Sequence, residues 1–156
     1  MKSPLVRSLL GIAAVASCAD DPANKDDFSI YKCKDQVTAG LPQGNHNPGM
    51  DCQGACHDHG YTVSGTVFLE DEVTPAVGAN VTIRDGNLKI INLITAENGN
   101  FYSKEPIAFP FRTWVSSCPD VEIMPDFVRA EELGASCNNA ICHQNQAGTG
   151  PIIIAQ

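Results

Sequence analysis

Two segments of this 156-residue chain place a pair of cysteines directly before a histidine. The first spans 52–57, with three residues between its cysteines, and the second spans 137–143, with four. In covalent c-type haem attachment, two thiols add to the haem vinyl groups and the adjacent imidazole ligates the iron. The usual spacer has two residues, so both segments would be long-spacer variants. We predict two haem c groups, with attachment and proximal ligation by Cys52, Cys56, Cys137, Cys142, His57 and His143.

Other uses of these cysteines stay open at this stage. The pairs could close two local disulfides, with histidines that follow them by chance. Four thiolates, or three with one histidine, could also bind zinc, and this would require the two segments to meet in the fold.

Each iron also needs a donor on the face opposite its proximal histidine. His46 lies eleven residues before His57 among turn-forming residues, so we predict that it reaches back over the first haem. A surface histidine in a loop is the alternative. His59 and Met50 are too close to His57 to cross the ring, and we expect His59 to be exposed. Met124 precedes the second segment by thirteen residues and is the candidate for the second haem. Packing in the core is the alternative role of this methionine.

The first seventeen residues indicate export, because two cations precede a short apolar run that cannot span a bilayer. The sequence Val15-Ala16-Ser17-Cys18 resembles a bacterial lipobox. The resemblance implies cleavage before Cys18, lipid on its thiol and attachment to a membrane. Ala19 in place of aspartate implies the outer membrane of a Gram-negative bacterium, on either face. An ordinary secretory signal with an accidental cysteine is the alternative.

The chain is acidic, with a formal net charge of −8. Loss of residues 1–17 would leave 8 basic and 18 acidic residues, a net charge of −10. Such a surface repels nucleic acid, so we expect other exported redox proteins as partners and leave self-assembly open. The sequence contains no Gly-x-Ser-x-Gly nucleophile elbow of a hydrolase and no phosphate-binding glycine loop, and we predict no enzymatic activity.

Seven cysteines fit an oxidising compartment. If one carries lipid and four carry haem, Cys33 and Cys118 are left to form a disulfide. These two leftover cysteines do not distinguish the haem interpretation from an all-disulfide chain, because the six cysteines other than Cys18 could also form three disulfides.

Residues 61–118 contain short β-branched and aromatic runs separated by turns, which predicts a small β-sandwich. Strands are expected over 61–69, 79–84, 88–95, 101–102 and 109–115, with a hairpin-type turn at 97–100. A short helix is predicted over 126–133, ended by Gly134.

The middle of the chain resembles the carboxypeptidase regulatory-like, transthyretin-like family. The matching pieces are Ser64-Gly65-Thr66-Val67, Gly78–Ile83 with Pro75, and Thr95–Phe101. The resemblance implies a β-sandwich that serves as a structural or binding module. The order of segments along the chain, with Asn45–Gly49 before the first haem segment, then the sandwich and then the second haem segment, resembles that of exported proteobacterial dihaem c-type cytochrome-like lipoproteins.

We therefore expect a mainly β protein whose sandwich is flanked by irregular and short-helical haem-binding segments. The expected units are a lipoprotein signal at 1–17, a tether at 18–48, a first haem segment at 49–60, the sandwich at 61–118 and a second haem segment at 119–156. The predicted function is to carry single electrons in the cell envelope. The rival is a non-redox, disulfide-stapled surface lipoprotein whose sandwich binds a partner or glycan.

Overall fold

The computed structural model describes residues 30–52, 59–129, 136–139, 142–144, 147–148 and 150–156. These residues form two main β-sheets and one short hairpin. The strands are β1 (Val63–Phe68), β2 (Asn80–Arg84), β3 (Ile90–Ile94), β4 (Asn100–Ser103), β5 (Arg112–Ser117), β6 (Asp120–Ile123), β7 (His143–Gln144), β8 (Ala147–Gly148) and β9 (Ile152–Ile153).

The prediction of a mainly β protein is confirmed, and both sheets contribute to one apolar core. The first sheet has the order β4-β1-β9, with β1 antiparallel to β4 and parallel to β9. The second has the order β3-β2-β5-β6 and is antiparallel throughout. Side chains of both sheets join in one buried cluster, which fits a β-sandwich. The cluster contains Val63, Val67, Val81, Ile83, Ile91, Phe101, Phe111, Val115 and Ile154.

All six residues of β1 are buried, although three consecutive ones, Ser64, Gly65 and Thr66, are small or polar. Val63 and Val67 face the core, whereas Ser64 and Thr66 lie on the opposite face. Other segments of the chain cover that second face, and these segments carry the cysteines. The strand therefore supports both the core and the candidate site.

Strands from beyond residue 118 extend both sheets. β6 pairs with β5, and the two-residue strand β9 pairs with the end of β1. Ile154, which follows β9, has no exposed surface. The segment predicted to carry the second haem is thus also part of the framework that holds the sheets together.

The predicted helix over 126–133 is wrong for its described part, 126–129. Val128 exchanges two backbone hydrogen bonds with Phe111, at 2.9 and 3.0 Å. These bonds use the groups that a helix would need, so pairing with a neighbouring chain segment overrides local helix propensity. Residues 130–135 lie outside the described residues, and the part of the chain that the structure does describe contains no α-helix.

The turn at 97–100 crosses between sheets, so the hairpin predicted there is wrong. β3 belongs to the second sheet and β4 to the first. Gly99 has a φ of 75°, as a turn glycine can, and a Cβ at this position would lie 2.5 Å from the Val67 carbonyl oxygen. The glycine therefore permits both the turn and the close approach of β1.

The lead-in segment is attached to the second sheet along residues 33–37. The amide of Cys118 donates to the Lys34 carbonyl at 3.1 Å, and the amide of Val37 donates to the Gly78 carbonyl at 2.9 Å. Cys33 and Cys118 form a disulfide with a Cα–Cα distance of 5.5 Å across 85 residues of sequence. The segment thus closes over the sheet by a covalent bond and by backbone pairing.

Replacing both disulfide cysteines, Cys33→Ser with Cys118→Ser, should lower the free energy of unfolding by about 4 kcal/mol, because the closed loop restricts the unfolded chain. Urea denaturation of the reduced and oxidised wild type and of the double variant measures this. The reduced wild type is the matched control, and its urea midpoint should equal that of the double variant. Equal midpoints for all three would contradict a stabilising bridge.

Candidate functional site

The two cysteine segments meet at one residue of β1. The Ser64 side chain forms a hydrogen bond with the Cys52 thiol. The Ser64 carbonyl accepts a hydrogen bond from the Cys137 amide at 2.8 Å, and Ser136 forms a parallel bridge with Ser64. The first cysteine of each segment is therefore fixed to the same strand position, although the two are far apart in sequence.

A buried polar network holds both segments against the outer face of β1. The Thr66 hydroxyl accepts from the Gly49 amide at 2.9 Å and from the Asn138 side-chain amide at 2.8 Å, and it donates to the Asn100 side chain at 2.6 Å. Asn138 also donates to the Met50 carbonyl at 3.2 Å. Because Thr66, Asn100 and Asn138 are almost fully buried, each of these bonds satisfies a group that water cannot reach.

The four-residue spacer of the second segment has a structural explanation in its two asparagines. Asn138 belongs to the buried network, and the Asn139 side chain accepts a hydrogen bond from the Cys142 amide at 2.9 Å. The amide of His143 then donates to the Cys137 carbonyl at 2.9 Å, which closes the loop. The loop thus brings Cys137, Cys142 and His143 together.

A backbone contact fixes the tautomer of His143. Its ring Nδ1 lies 2.9 Å from the Gly150 carbonyl oxygen. A carbonyl can only accept, so Nδ1 carries the proton and the neutral ring has its lone pair on Nε2. Histidines that ligate metals commonly show this arrangement, since the second ring nitrogen donates to a carbonyl or carboxylate. A neutral His143 would ligate a metal through Nε2.

A cavity of about 420 Å³ opens beside this loop. This volume lies within the range of cofactor and small-molecule sites. Cys137, Cys142, His143 and the predicted ligand Met124 all line it, and most other lining residues are apolar, among them Val81, Phe101, Val115, Ile123 and Ile152. The cavity therefore combines two thiols, one imidazole and one thioether with an apolar wall.

Trp114 also lines this cavity, and its indole Nε1 is buried with no hydrogen-bond partner. An unpaired buried donor is unusual, because its desolvation costs free energy. Trp114 pairs with Thr82 in the β2–β5 register and its ring meets that of Tyr31 edge-on, so the indole lies on the face of the sheet that points away from the core. The two thiols, the imidazole and the thioether of the cavity fit a haem, which offers vinyl groups and an iron.

A second cavity, of about 170 Å³, lies at the first segment. It is lined by Cys52 together with Asn45, His46, Asn47, Met50, Asp51, His59, Tyr61, Asn100, Phe101 and Tyr102. Asn98 and Asn100 donate to the backbone carbonyls of Asn45 and His46, which attaches this loop to β4. The predicted ligand His46 is thereby held beside Cys52.

His59 is half-buried, so the expectation that it is exposed is wrong. Its ring centroid lies 4.7 Å from that of His46 and 5.1 Å from that of Tyr61, on which it stacks. Tyr61 in turn stacks on Tyr102 at 4.7 Å. The ring row Tyr102–Tyr61–His59–His46 places a second imidazole at the first segment, which sequence spacing did not reveal.

The thiols are shifted toward their protonated forms. Burial, followed by the neighbouring thiols of Cys142 and Cys52, raises the pKa of Cys137 to about 12. Burial also raises the pKa of Cys52, while its hydrogen bond with Ser64 acts in the opposite direction. All three cysteines are outside disulfide bonds. The raised pKa values keep Cys52 and Cys137 as neutral thiols near neutral pH.

Three of the predicted site residues, Cys18, Cys56 and His57, lie outside the described residues. The first predicted haem segment is therefore described only up to Cys52 and from His59 onward. Among the side chains that the structure does describe, no group of three or more His, Cys, Asp or Glu residues is arranged to hold a metal ion. The same part of the chain contains no helix with the length and apolarity needed to cross a bilayer.

Comparisons with protein families, with curated proteins and with solved structures found no match to this chain.

Thr66→Val should remove the centre of the buried network and destabilise the fold by about 1–3 kcal/mol, because polar groups of three segments lose their partner without regaining water. Thr113→Val is the matched control, since this half-buried threonine donates to one carbonyl, that of Thr82. Urea denaturation compares the two. A smaller loss for Thr66→Val than for Thr113→Val would contradict the role of the network.

Proposed function

We propose that this protein is an exported c-type cytochrome that carries single electrons on two covalently attached haems. Its scaffold is a transthyretin-like, carboxypeptidase regulatory-like β-sandwich. Export and a lipid anchor on Cys18 place it in the cell envelope, at the outer membrane of a Gram-negative bacterium. Its partners are other exported redox proteins.

The observation that carries the proposal is the second segment with its cavity. Cys137 and Cys142 supply two thiols, His143 is held in the tautomer whose lone pair lies on Nε2, and Met124 lines the same cavity. A bound haem supplies the one-electron chemistry; the chain holds it, excludes water with apolar walls and sets the axial donors.

The first segment supports the proposal through its surroundings. Cys52 shares a cavity with His46 and His59, each of which can serve as the donor opposite His57. Two histidines on one iron give a comparatively low potential, whereas a methionine raises it. We therefore propose a lower potential for the first site than for the second, where Met124 is the donor.

Zinc binding by both segments requires that they meet in the fold, and they do meet at Ser64. In both segments, however, a histidine directly follows the second of two cysteines, which is the order that covalent haem attachment requires. We therefore favour haem over zinc.

Protein from a host with c-type haem maturation should show two covalent haem additions by intact-mass measurement. Cys137→Ser with Cys142→Ser should remove one addition, because only the second segment loses its thiols. Cys33→Ser with Cys118→Ser is the control and should keep both. A chain without additions that contains three disulfides or bound zinc would refute the proposal.

The donor opposite His57 can be identified by comparing His46→Ala with His59→Ala. We expect His46→Ala to shift one haem toward high spin and carbon monoxide binding, because its loop is anchored by Asn98 and Asn100 beside Cys52. His59→Ala should leave the spin state low, since stacking on Tyr61 holds that ring aside. Visible and resonance Raman spectra distinguish the two, and the reverse result would assign His59 instead.

A further inference from the structure

Strand β3 lies at one end of the second sheet, and its outer edge is open. It pairs with β2 alone. The Thr95 amide donates to the Ala79 carbonyl at 2.9 Å, and residues two apart along a strand direct their backbone groups to the same side. The odd-numbered residues of β3 therefore bond to β2, and the even-numbered ones present their N–H and C=O groups at the open edge. These edge residues are Ile90, Asn92 and Ile94, and no described strand pairs with them.

This edge lacks the features that usually prevent pairing with another chain, namely charged residues and proline. The five residues of β3, Ile-Ile-Asn-Leu-Ile, include neither. The strand at the other end of the same sheet, β6, carries Asp120 and Glu122, so two β6 edges would bring like charges together. Beside the open edge of β3, Leu88 and Ile90 keep 52% and 46% of their surface exposed. Of the two edges of this sheet, β3 is therefore the one that favours pairing.

The sequence of β3 identifies a second copy of β3 as the matching strand, because it is nearly symmetric about Asn92. In an antiparallel pair centred on this residue, Asn92 lies opposite Asn92, and Ile90 lies opposite Ile94 of the second copy. On the core side, Ile91 lies opposite Leu93. Apolar residues thus face apolar residues at every position except the centre, and the outward backbone groups face each other in register. Such self-complementarity is what a two-fold interface requires.

The charges around β3 are compatible with this pairing. Lys89 would lie opposite Thr95 of the second copy, and its Nζ is paired with Glu105 of its own chain at 2.6 Å. The Lys34 ammonium donates to the side-chain oxygen of Asn92, which ties it to its own sheet. No acidic residue belongs to β3, so the net charge of −8 on each chain opposes association only at a distance, where salt screens it.

We propose that β3 is the dimerisation edge of this protein, where two copies pair antiparallel about Asn92. The two second sheets then form one continuous sheet, in which the edge residues exchange backbone hydrogen bonds. No residue of β3 lines either cavity, so the pairing leaves both cavities as they are and does not depend on haem.

The dimer is tested by sedimentation velocity on the full chain with Cys18→Ser, which carries no lipid on that thiol. We expect a reversible dimer that strengthens with protein concentration and with salt. Ile90→Lys should make the chain monomeric, because it places a charge on the edge, and its circular dichroism spectrum should match that of the parent chain, because the Ile90 side chain is exposed. Val73→Lys is the matched control, since Val73 is 75% exposed in the loop after β1, and it should remain dimeric. A monomer before substitution, an assembly larger than a dimer, or a dimer that Ile90→Lys leaves intact would overturn the proposal.

The register is tested by cysteine substitution in the same background. Asn92→Cys should form a disulfide between copies under mild oxidation, because directly opposite residues of a hydrogen-bonded pair have Cα atoms about 5.5 Å apart, within disulfide range. Ile90→Cys is the control and should form no such bond, since the residue opposite it is Ile94. Mass spectrometry of the peptides identifies a link between the two introduced thiols whether or not the native cysteines carry haem. A link in Ile90→Cys, or none in Asn92→Cys, would overturn the pairing about Asn92.

Discussion

The buried hydrogen-bond network around Thr66 is the interaction on which the rest of the site depends. Thr66 lies in the middle of the central strand β1, and its hydroxyl connects the loop before Cys52, strand β4 and the spacer of the second cysteine pair. These bonds act together with the contacts at Ser64 to hold both cysteine segments on the same strand. The sheets support the site, and the network fixes the cysteine-bearing segments to β1.

This constraint explains the length of the spacer in the second segment. In the second segment, Asn138 binds into the network and Asn139 turns the chain toward Cys142, so the additional residues position the second thiol and His143. The same loop is fixed at its far end by the contact between His143 and the Gly150 carbonyl. The cavity between the sheets then lies beside a loop whose thiols and imidazole are already arranged.

The sequence predicted the strands that have strong local signals, and it missed features that depend on distant contacts. The β-branched runs and the turn at Gly99 were recognisable because alternation and turn chemistry are local properties. β9 has only two residues, too few for any periodicity, yet Ile154 beside it is fully buried. The helix predicted near Val128 failed because Phe111, seventeen residues away, takes its backbone hydrogen bonds.

The candidate site also combines features with local sequence signals and features that depend on distant contacts. The order of cysteines and histidines predicts haem attachment, and counting the remaining cysteines identified Cys33 and Cys118, which the structure joins. Ser64 and Asn138 belong to no sequence motif, because their roles arise only when the two cysteine segments meet in the fold. His59 was misjudged because spacing along the chain gave no sign of its contact with His46.

The central claim is that both cysteine segments attach haem, and a reduced-minus-oxidised visible spectrum of protein from its native host tests it most directly. The account predicts a sharp α-band of c-type haem and a peroxidase-active haem stain that stays with the chain on a denaturing gel. A colourless protein, or haem that separates from the chain under denaturing conditions, would contradict it.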